Sequence, residues 1–293
     1  MGRDLHESSA AARAVFDAVD SACGFPVSRL CFEGSEETLK ATHNAQPALY
    51  VVSVAALAAC REAGLEPSAA AGHSVGEYAA LTAAGALDVA AGARLVKARG
   101  EAMEAAAAER PGGMAAVLGL DTATIGEACA QCVNVGVVTI ANLNAPGQVV
   151  ISGEAAAVAA AADLCKRRGA KRVVPLVVSG AFHSPLMEMA VMKLRGVLEL
   201  TAVVDPTLPI VANITADYVR SAAEIKAALA GQVAGPVRWV ETIERLTADG
   251  YSTFVECGPG TVLAGLIKRI APEAKTYSVS DRATLASAKE ALL

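Results

Sequence analysis

The sequence predicts an α/β protein whose larger unit, residues 1–111 and 181–293, is interrupted by a small ferredoxin-like βαββαβ subdomain over residues 112–180. Three observations predict it. Alanine-rich helical segments alternate with short β-branched runs along the chain. From Gly112 the texture changes to strand, helix, strand, strand, helix, strand. That stretch is bounded by Pro111-Gly112-Gly113 and by Ser179-Gly180, as an insertion would be.

The elements follow in order. Leu5 to Ala22 reads as an amphipathic helix and Gln46 to Ala63 as a buried one. Ala69 to His73 is a short strand, and Tyr78 to Ala84 is helical. Asp88 stands where it can cap a longer helix that ends at Glu109. Within the insert, strands are expected at Met114–Leu118, Gly136–Asn142, Gln148–Ser152 and Arg172–Val177. The turn Asn144-Ala145-Pro146-Gly147 separates the second and third of these. Helices are expected at Thr122–Gln131 and Glu154–Arg168. A helix from Pro185 to Leu198, strands near Pro209–Ala212 and Thr253–Cys257, and helices after Gly258-Pro259-Gly260 complete the chain.

Composition narrows the function. The 293 residues are 54% hydrophobic and 19% charged, which excludes intrinsic disorder and gives ample core material. A net charge of −5 argues against a general nucleic-acid binder, which needs a basic field. No apolar run reaches the roughly 20 residues of a membrane span. The polar start Met-Gly-Arg-Asp-Leu-His is not a signal peptide, so a cytoplasmic protein is expected. The seven cysteines have no framework spacing. Cys129-Ala-Gln-Cys132 closes a helical stretch rather than opening one, so it reads as two small buried side chains. No metal site is expected.

The chemistry-bearing motif is Gly72-His73-Ser74-Val75-Gly76, a G-x-S-x-G nucleophile elbow between an apolar strand and a helix. A side chain at either glycine is expected to clash in so sharp a turn. The helix start sets the Val75 amide and a positive dipole end beside an attacked carbonyl. A serine hydroxyl needs a base within hydrogen-bond reach. His6 and His43 lie in polar helix-start or loop sequence. His183 sits in Ser179-Gly180-Ala181-Phe182-His183-Ser184-Pro185, where the chain re-enters the larger unit, and junction loops are where catalytic groups gather. Taken alone, His183 reads more readily as a helix-capping or packed histidine. A partnering serine elbow reverses that preference.

The GHSVGE elbow, Gln46-Pro47-Ala48-Leu49, GAFHSP and Cys257-Gly258-Pro259-Gly260 together resemble the malonyl-CoA:acyl-carrier-protein transacylases. That family includes the acyltransferase domains of fatty-acid and polyketide synthases. The match runs from Met1 to about Arg269 in consistent order and spacing. The resemblance implies an α/β-hydrolase-like large domain carrying the ferredoxin-like insert. It also implies a Ser74–His183 dyad in which the backbone carbonyl of Gln232, not an aspartate, orients the imidazole. Arg99 reads on its own as a solvent-facing helix charge. Its position matches the family arginine that grips the malonyl carboxylate, a task suited to a planar, permanently charged guanidinium. By the same resemblance Gln46, Asn142 and Asn144 line the cleft. Phe182 resembles the malonyl-selective version of the family, in which bulk disfavours an α-methyl group by ~1–3 kcal/mol.

The implied reaction is ping-pong transfer of malonyl from coenzyme A to a carrier-protein thiol through a Ser74 ester. Coenzyme A enters as a thioester substrate, no resident cofactor is expected, and the enzyme is expected to be a monomer. Carrier proteins of the family are acidic, so an acidic enzyme needs a local basic patch. The densest run is Lys166, Arg167, Arg168, Lys171 and Arg172. It reads equally well as a solvated helix end. Two other functions share the motifs: a serine esterase or thioesterase, in which Arg99 has no task, and a non-catalytic docking module. The last arises because family members usually begin with a strand and a Gly-Gln-Gly-Ser-Gln loop ahead of the Met-Gly-Arg-Asp-Leu segment. The loop supplies a second oxyanion contact, and without the strand a central sheet position is expected to be unpaired.

Overall fold

The computed structural model describes residues 1–293. Helices build the first part: α1 (Arg3–Ser8), α2 (Ala10–Cys23), α3 (Val27–Glu33), α4 (Glu36–Lys40), α5 (Thr42–Glu62), α6 (Gly76–Ala83) and α7 (Val89–Glu109). The single helix expected over residues 5–22 is two. Ser9 is extended at φ −123° and its side chain accepts from the Ala12 amide at 3.0 Å, so it caps a new helix. Asp88 caps α7 as expected, accepting from the Ala91 amide at 2.6 Å. Twelve of the 21 residues of α5 are buried. Its approach to α7 is close: a side chain at Gly92 would meet the Tyr50 hydroxyl at 2.1 Å. These two helices and α2 carry the main core, with Phe16, Val51, Leu95 and Val96 fully buried.

The insert contains β1 (Gly113–Leu118), α8 (Thr122–Gln131), β2 (Val138–Ala145), β3 (Gln148–Gly153), α9 (Ala155–Arg167) and β4 (Arg172–Pro175). The strands form one antiparallel sheet in the order β2-β3-β1-β4. Ile125, Ala128, Ala161 and Cys165 of the two helices pack on Val117, Val149 and Ile151 of the sheet. Cys129 and Cys132 are buried free thiols in this small core. Burial pushes the Cys129 thiol up to about 12, which makes it inert.

A single 3-10 turn (Pro185–Met187) leads into α10 (Glu188–Leu200), followed by β5 (Ile210–Val211), β6 (Tyr218–Val219), α11 (Ala222–Gln232), α12 (Trp239–Ala248), β7 (Thr253–Cys257), α13 (Val262–Ile270), β8 (Lys275–Val279) and α14 (Arg282–Leu292). Strand β8, parallel to β7, was not expected from the sequence. Its five residues lie between helical segments and alternate too briefly to stand out. The strand expected over 69–73 shrinks to one parallel bridge, Ala70 to Ile210. A largely apolar cavity of about 850 Å³ lies between that segment and β7, lined by Ala69, Ala71, Phe254 and Leu263 among others. No helix is long and apolar enough to cross a membrane.

The insert is fastened beside the elbow. Val237 of the larger unit bridges Asn142 of β2, its amide donating to Ala141 at 2.8 Å and its carbonyl accepting from Leu143 at 2.9 Å. Arg269 donates to the Pro146 carbonyl at 2.8 Å and to Gln148.

Candidate active site

The residues after the Ala70 bridge turn sharply into α6. Ser74 holds a positive φ of 52°, the left-handed region that a side chain enters only under strain. Gly72 makes this possible, since a Cβ there would stand 2.0 Å from the Gly76 carbonyl oxygen. Gly76 does not clash in the same way. Nothing lies within 4 Å of a Cβ built on it, which corrects the expectation that both glycines are sterically required. The turn is pinned from below by Asn213. Its Oδ1 accepts the Ser74 amide at 2.7 Å, and its Nδ2 donates to the Gly72 carbonyl at 2.7 Å.

His183, also at positive φ (58°), is buried and brings Nε2 to 2.8 Å from Ser74 Oγ. Its Nδ1 faces two carbonyls, Gln232 at 2.8 Å and Gly235 at 3.2 Å. Two acceptors on that side hold the ring proton at Nδ1, so the Nε2 lone pair is free to accept from the serine hydroxyl. Burial first, and then the Arg99 charge, lower the imidazole to about 3. The ring is therefore neutral and competent as a base.

Arg99 is not solvent-facing. It is 2% exposed, under the elbow, with its guanidinium 5.8 Å from the centre of the Tyr78 ring. Nη1 donates to Gln46 Oε1 at 2.6 Å; Nη2 donates to Ser74 Oγ and to Gln232 Oε1, each at 3.0 Å. Nε has no partner. All of its acceptors are neutral, and no carboxylate lies within 4.0 Å. A buried guanidinium without an anionic partner is chemically suited to pair with a carboxylate.

The other expected residues divide. Gln46 and Gln232 join the network through Arg99. The Val75 amide lies beside Ser74 and donates to no protein group, while the next three amides bond back into the elbow: Gly76 to His73, Glu77 to Ser74, Tyr78 to Val75. Asn144 reaches the elbow by accepting, through Oδ1, from His73 Nε2–H at 2.8 Å, and so ties the insert to it. Asn142 is buried at the Val237 bridge and bonds to none of Ser74, His183 and Arg99, so it serves the junction. Phe182 is half-buried, packed between the main core and Met114, Ala141 and Val150 of the insert. In the basic run, Lys166 pairs with Asp163 at 3.0 Å, and Arg168 with Glu127 at 3.1 Å and the Thr124 carbonyl. Arg167, Lys171 and Arg172 are exposed and make no ion pair. Sequence reasoning missed Asn213 and Glu77. The only signal for either was an acid directly after the elbow glycine in an otherwise apolar helix start.

Comparison with known proteins shows the family. The acyl transferase domain family matches residues 1–286. The malonyl CoA-acyl carrier protein transacylase of Bacillus subtilis is 44% identical over 293 residues, covering 100% of this chain and 92% of that protein. That of Haemophilus influenzae is 41% identical, covering 95% and 90%. Among solved structures, the acyl-carrier-protein S-malonyltransferase of Bartonella henselae superposes with a TM-score of 0.96 at 42% identity, covering 100% of this chain and 94% of that one. A malonyl-transacylase solved in complex with a type II polyketide-synthase acyl-carrier protein gives 0.95 at 41% identity, covering 99% and 94%. The fold is the mixed α/β fold of these enzymes, and the chain belongs to the acyl transferase domain family, among the malonyl-CoA:acyl-carrier-protein transacylases.

Proposed function

We propose that the transfer of malonyl from malonyl-CoA to the carrier-protein thiol runs through Ser74, His183 and Arg99. Ser74 Oγ attacks the thioester carbonyl as His183 Nε2 takes its proton. The tetrahedral intermediate collapses, the C–S bond breaks, and the imidazolium returns the proton to the departing coenzyme A sulfur. A malonyl-Ser74 ester remains. The carrier thiol then gives its proton to His183, attacks the ester, and leaves Ser74 protonated again. The free Val75 amide donates to the oxyanion, and the Gln232 carbonyl stabilises the imidazolium through Nδ1–H. The malonyl carboxylate pairs with Arg99, which Gln46 and the Gln232 side chain hold in place.

The observation that carries this reading is a fully buried guanidinium, without an anionic partner, 3.0 Å from the nucleophile oxygen. An esterase or thioesterase has no use for it, and a docking module has no use for the dyad beside it. We further read the larger unit as α/β-hydrolase-like, on the strand–turn–helix elbow and the parallel β7–β8 pair, and the insert as ferredoxin-like, on its β2-β3-β1-β4 order. Phe182 would disfavour an α-methyl group. The enzyme is read as a cytoplasmic monomer working without a resident cofactor.

For the acidic carrier, the unpaired cations Arg167, Lys171 and Arg172 at the end of α9 and the start of β4 are the candidate contact; Lys166 and Arg168 are already engaged within the insert. The test of the central claim is intact-mass analysis after mixing with malonyl-CoA. The wild type gains a malonyl adduct and Ser74→Ala does not. An adduct on Ser74→Ala refutes the assignment.

A further inference from the structure

Below the elbow lies a buried acid that the reaction does not use. Glu77, in the first turn of α6, is 2% exposed, and its carboxylate touches neither Ser74 Oγ nor His183. It forms no ion pair. One of its oxygens, Oε2, accepts from the Asn213 amide at 3.0 Å and from Gln232 Nε2 at 2.7 Å. Burying a carboxylate is unfavourable unless its hydrogen bonds are met. A position asked only to fill space here would take an apolar side chain.

The two groups that Glu77 holds are those that set the reacting atoms. Asn213 fixes the elbow through the Ser74 amide and the Gly72 carbonyl. Gln232 carries the carbonyl that accepts His183 Nδ1–H, and its side chain bonds to the Ser74 carbonyl at 2.9 Å and to Arg99. The side chain and the orienting carbonyl of Gln232 belong to one residue, so clamping the first restrains the second. We propose that Glu77 is a positioning residue for this reaction: by accepting from Asn213 and Gln232 through one oxygen, it holds the Ser74 turn and the His183-orienting carbonyl in register. The proposal rests on the Ser74–His183 reading given above.

What matters on this account is reach, not charge. Glu77→Gln keeps an oxygen at the same distance from the backbone and loses the charge. Glu77→Asp keeps the charge and is one methylene too short to meet both donors. The experiment measures single-turnover acylation by malonyl-CoA, the KM for malonyl-CoA, and the downfield proton resonance of His183 Nδ1–H. Glu77→Gln should stay within about tenfold of wild type and keep the resonance. Glu77→Asp should acylate about 10²-fold more slowly, the cost of a misplacement on the order of an ångström. Its KM should stay within a few-fold, and its resonance should move or broaden. Equal rates in the two variants, the reverse order, or a slow Glu77→Asp with an unmoved resonance overturns the proposal. Ser74→Ala run alongside separates the two readings, because an adduct there condemns the dyad rather than the role of Glu77.

Discussion

Replacing Arg99 with alanine tests how the enzyme tells malonyl from acetyl. The guanidinium is 2% exposed, and its three contacts, to Gln46, Ser74 and Gln232, are all neutral. Malonyl would complete it with a carboxylate in the same dry space. Removing one member of a buried ion pair costs about 3–5 kcal/mol, because the other charge is left uncompensated. At 1.4 kcal/mol per tenfold, this is a loss of about 10²–10³ or slightly more for malonyl. Acetyl has no carboxylate and loses what the free guanidinium gives the elbow, of which the bond from Nη2 to Ser74 Oγ is about 1.5–3 kcal/mol, and malonyl loses this as well. The ratio of malonyl to acetyl acylation should therefore fall by about 10²–10³. Quenched-flow acylation with the two coenzyme A thioesters, scored by intact mass, measures that ratio directly. Arg99→Lys should fall between, since it keeps the charge and loses the fork. If the two acyl groups lose rate equally in Arg99→Ala, the arginine is a structural support for the elbow and the recognition argument fails.

Four further outcomes are expected. His183, lowered to about 3, stays neutral as pH falls, so wild-type acylation should hold from pH 8 down to about 5; a loss centred near 6.5 would mean an ordinary imidazole. The same depression makes its contribution to stability complete above about 6.5 and lost as pH falls towards 3, whereas Glu77, raised by burial to about 7, contributes most below about 4.5 and loses that contribution as pH rises through 7. Gly72→Ala should cost about 3 kcal/mol and abolish acylation, because the added carbon meets backbone at 2.0–2.5 Å, while Gly76→Ala should keep the fold in chemical denaturation. Charge reversal at Arg167 and Arg172 should slow transfer to the carrier and flatten its salt dependence, with acylation by malonyl-CoA within a few-fold; a fall in both half-reactions would remove the patch from the docking surface.

Much of this site was legible because its chemistry is local in sequence. The elbow places strand end, serine and helix start within five residues, and His183 stands at a junction between two units. Element positions in the insert could be read because each strand or helix carries its own period, and Asp121 caps α8. What could not be read is whatever depends on contacts across the chain. Ser9 breaks a helix whose apolar spacing runs through it. Residues 69–73 have the composition of a strand, but pairing needs a neighbour, and only Ala70 has one. Asn142 and Asn144 are two residues apart on β2, yet one serves the junction and the other reaches His73. Asn213, some 139 residues from Ser74, has no local feature that sets it apart from any other asparagine after a strand.

In the proposed mechanism the burial of Arg99 ties recognition to activation in a way that neither residue type suggests alone. In the free enzyme one guanidinium nitrogen donates to the serine oxygen while that oxygen faces His183 Nε2, so the hydroxyl accepts from one side and donates to the other. A positive charge at 3.0 Å stabilises the developing alkoxide, and the same charge, with burial, keeps the imidazole unprotonated. When a carboxylate arrives it must share this guanidinium with Ser74 Oγ. An acyl group lacking the carboxylate leaves the cation uncompensated in the acyl-enzyme, with its desolvation still unmet. Selectivity in this geometry therefore arises from what the unfilled site costs as well as from what the filled one gains.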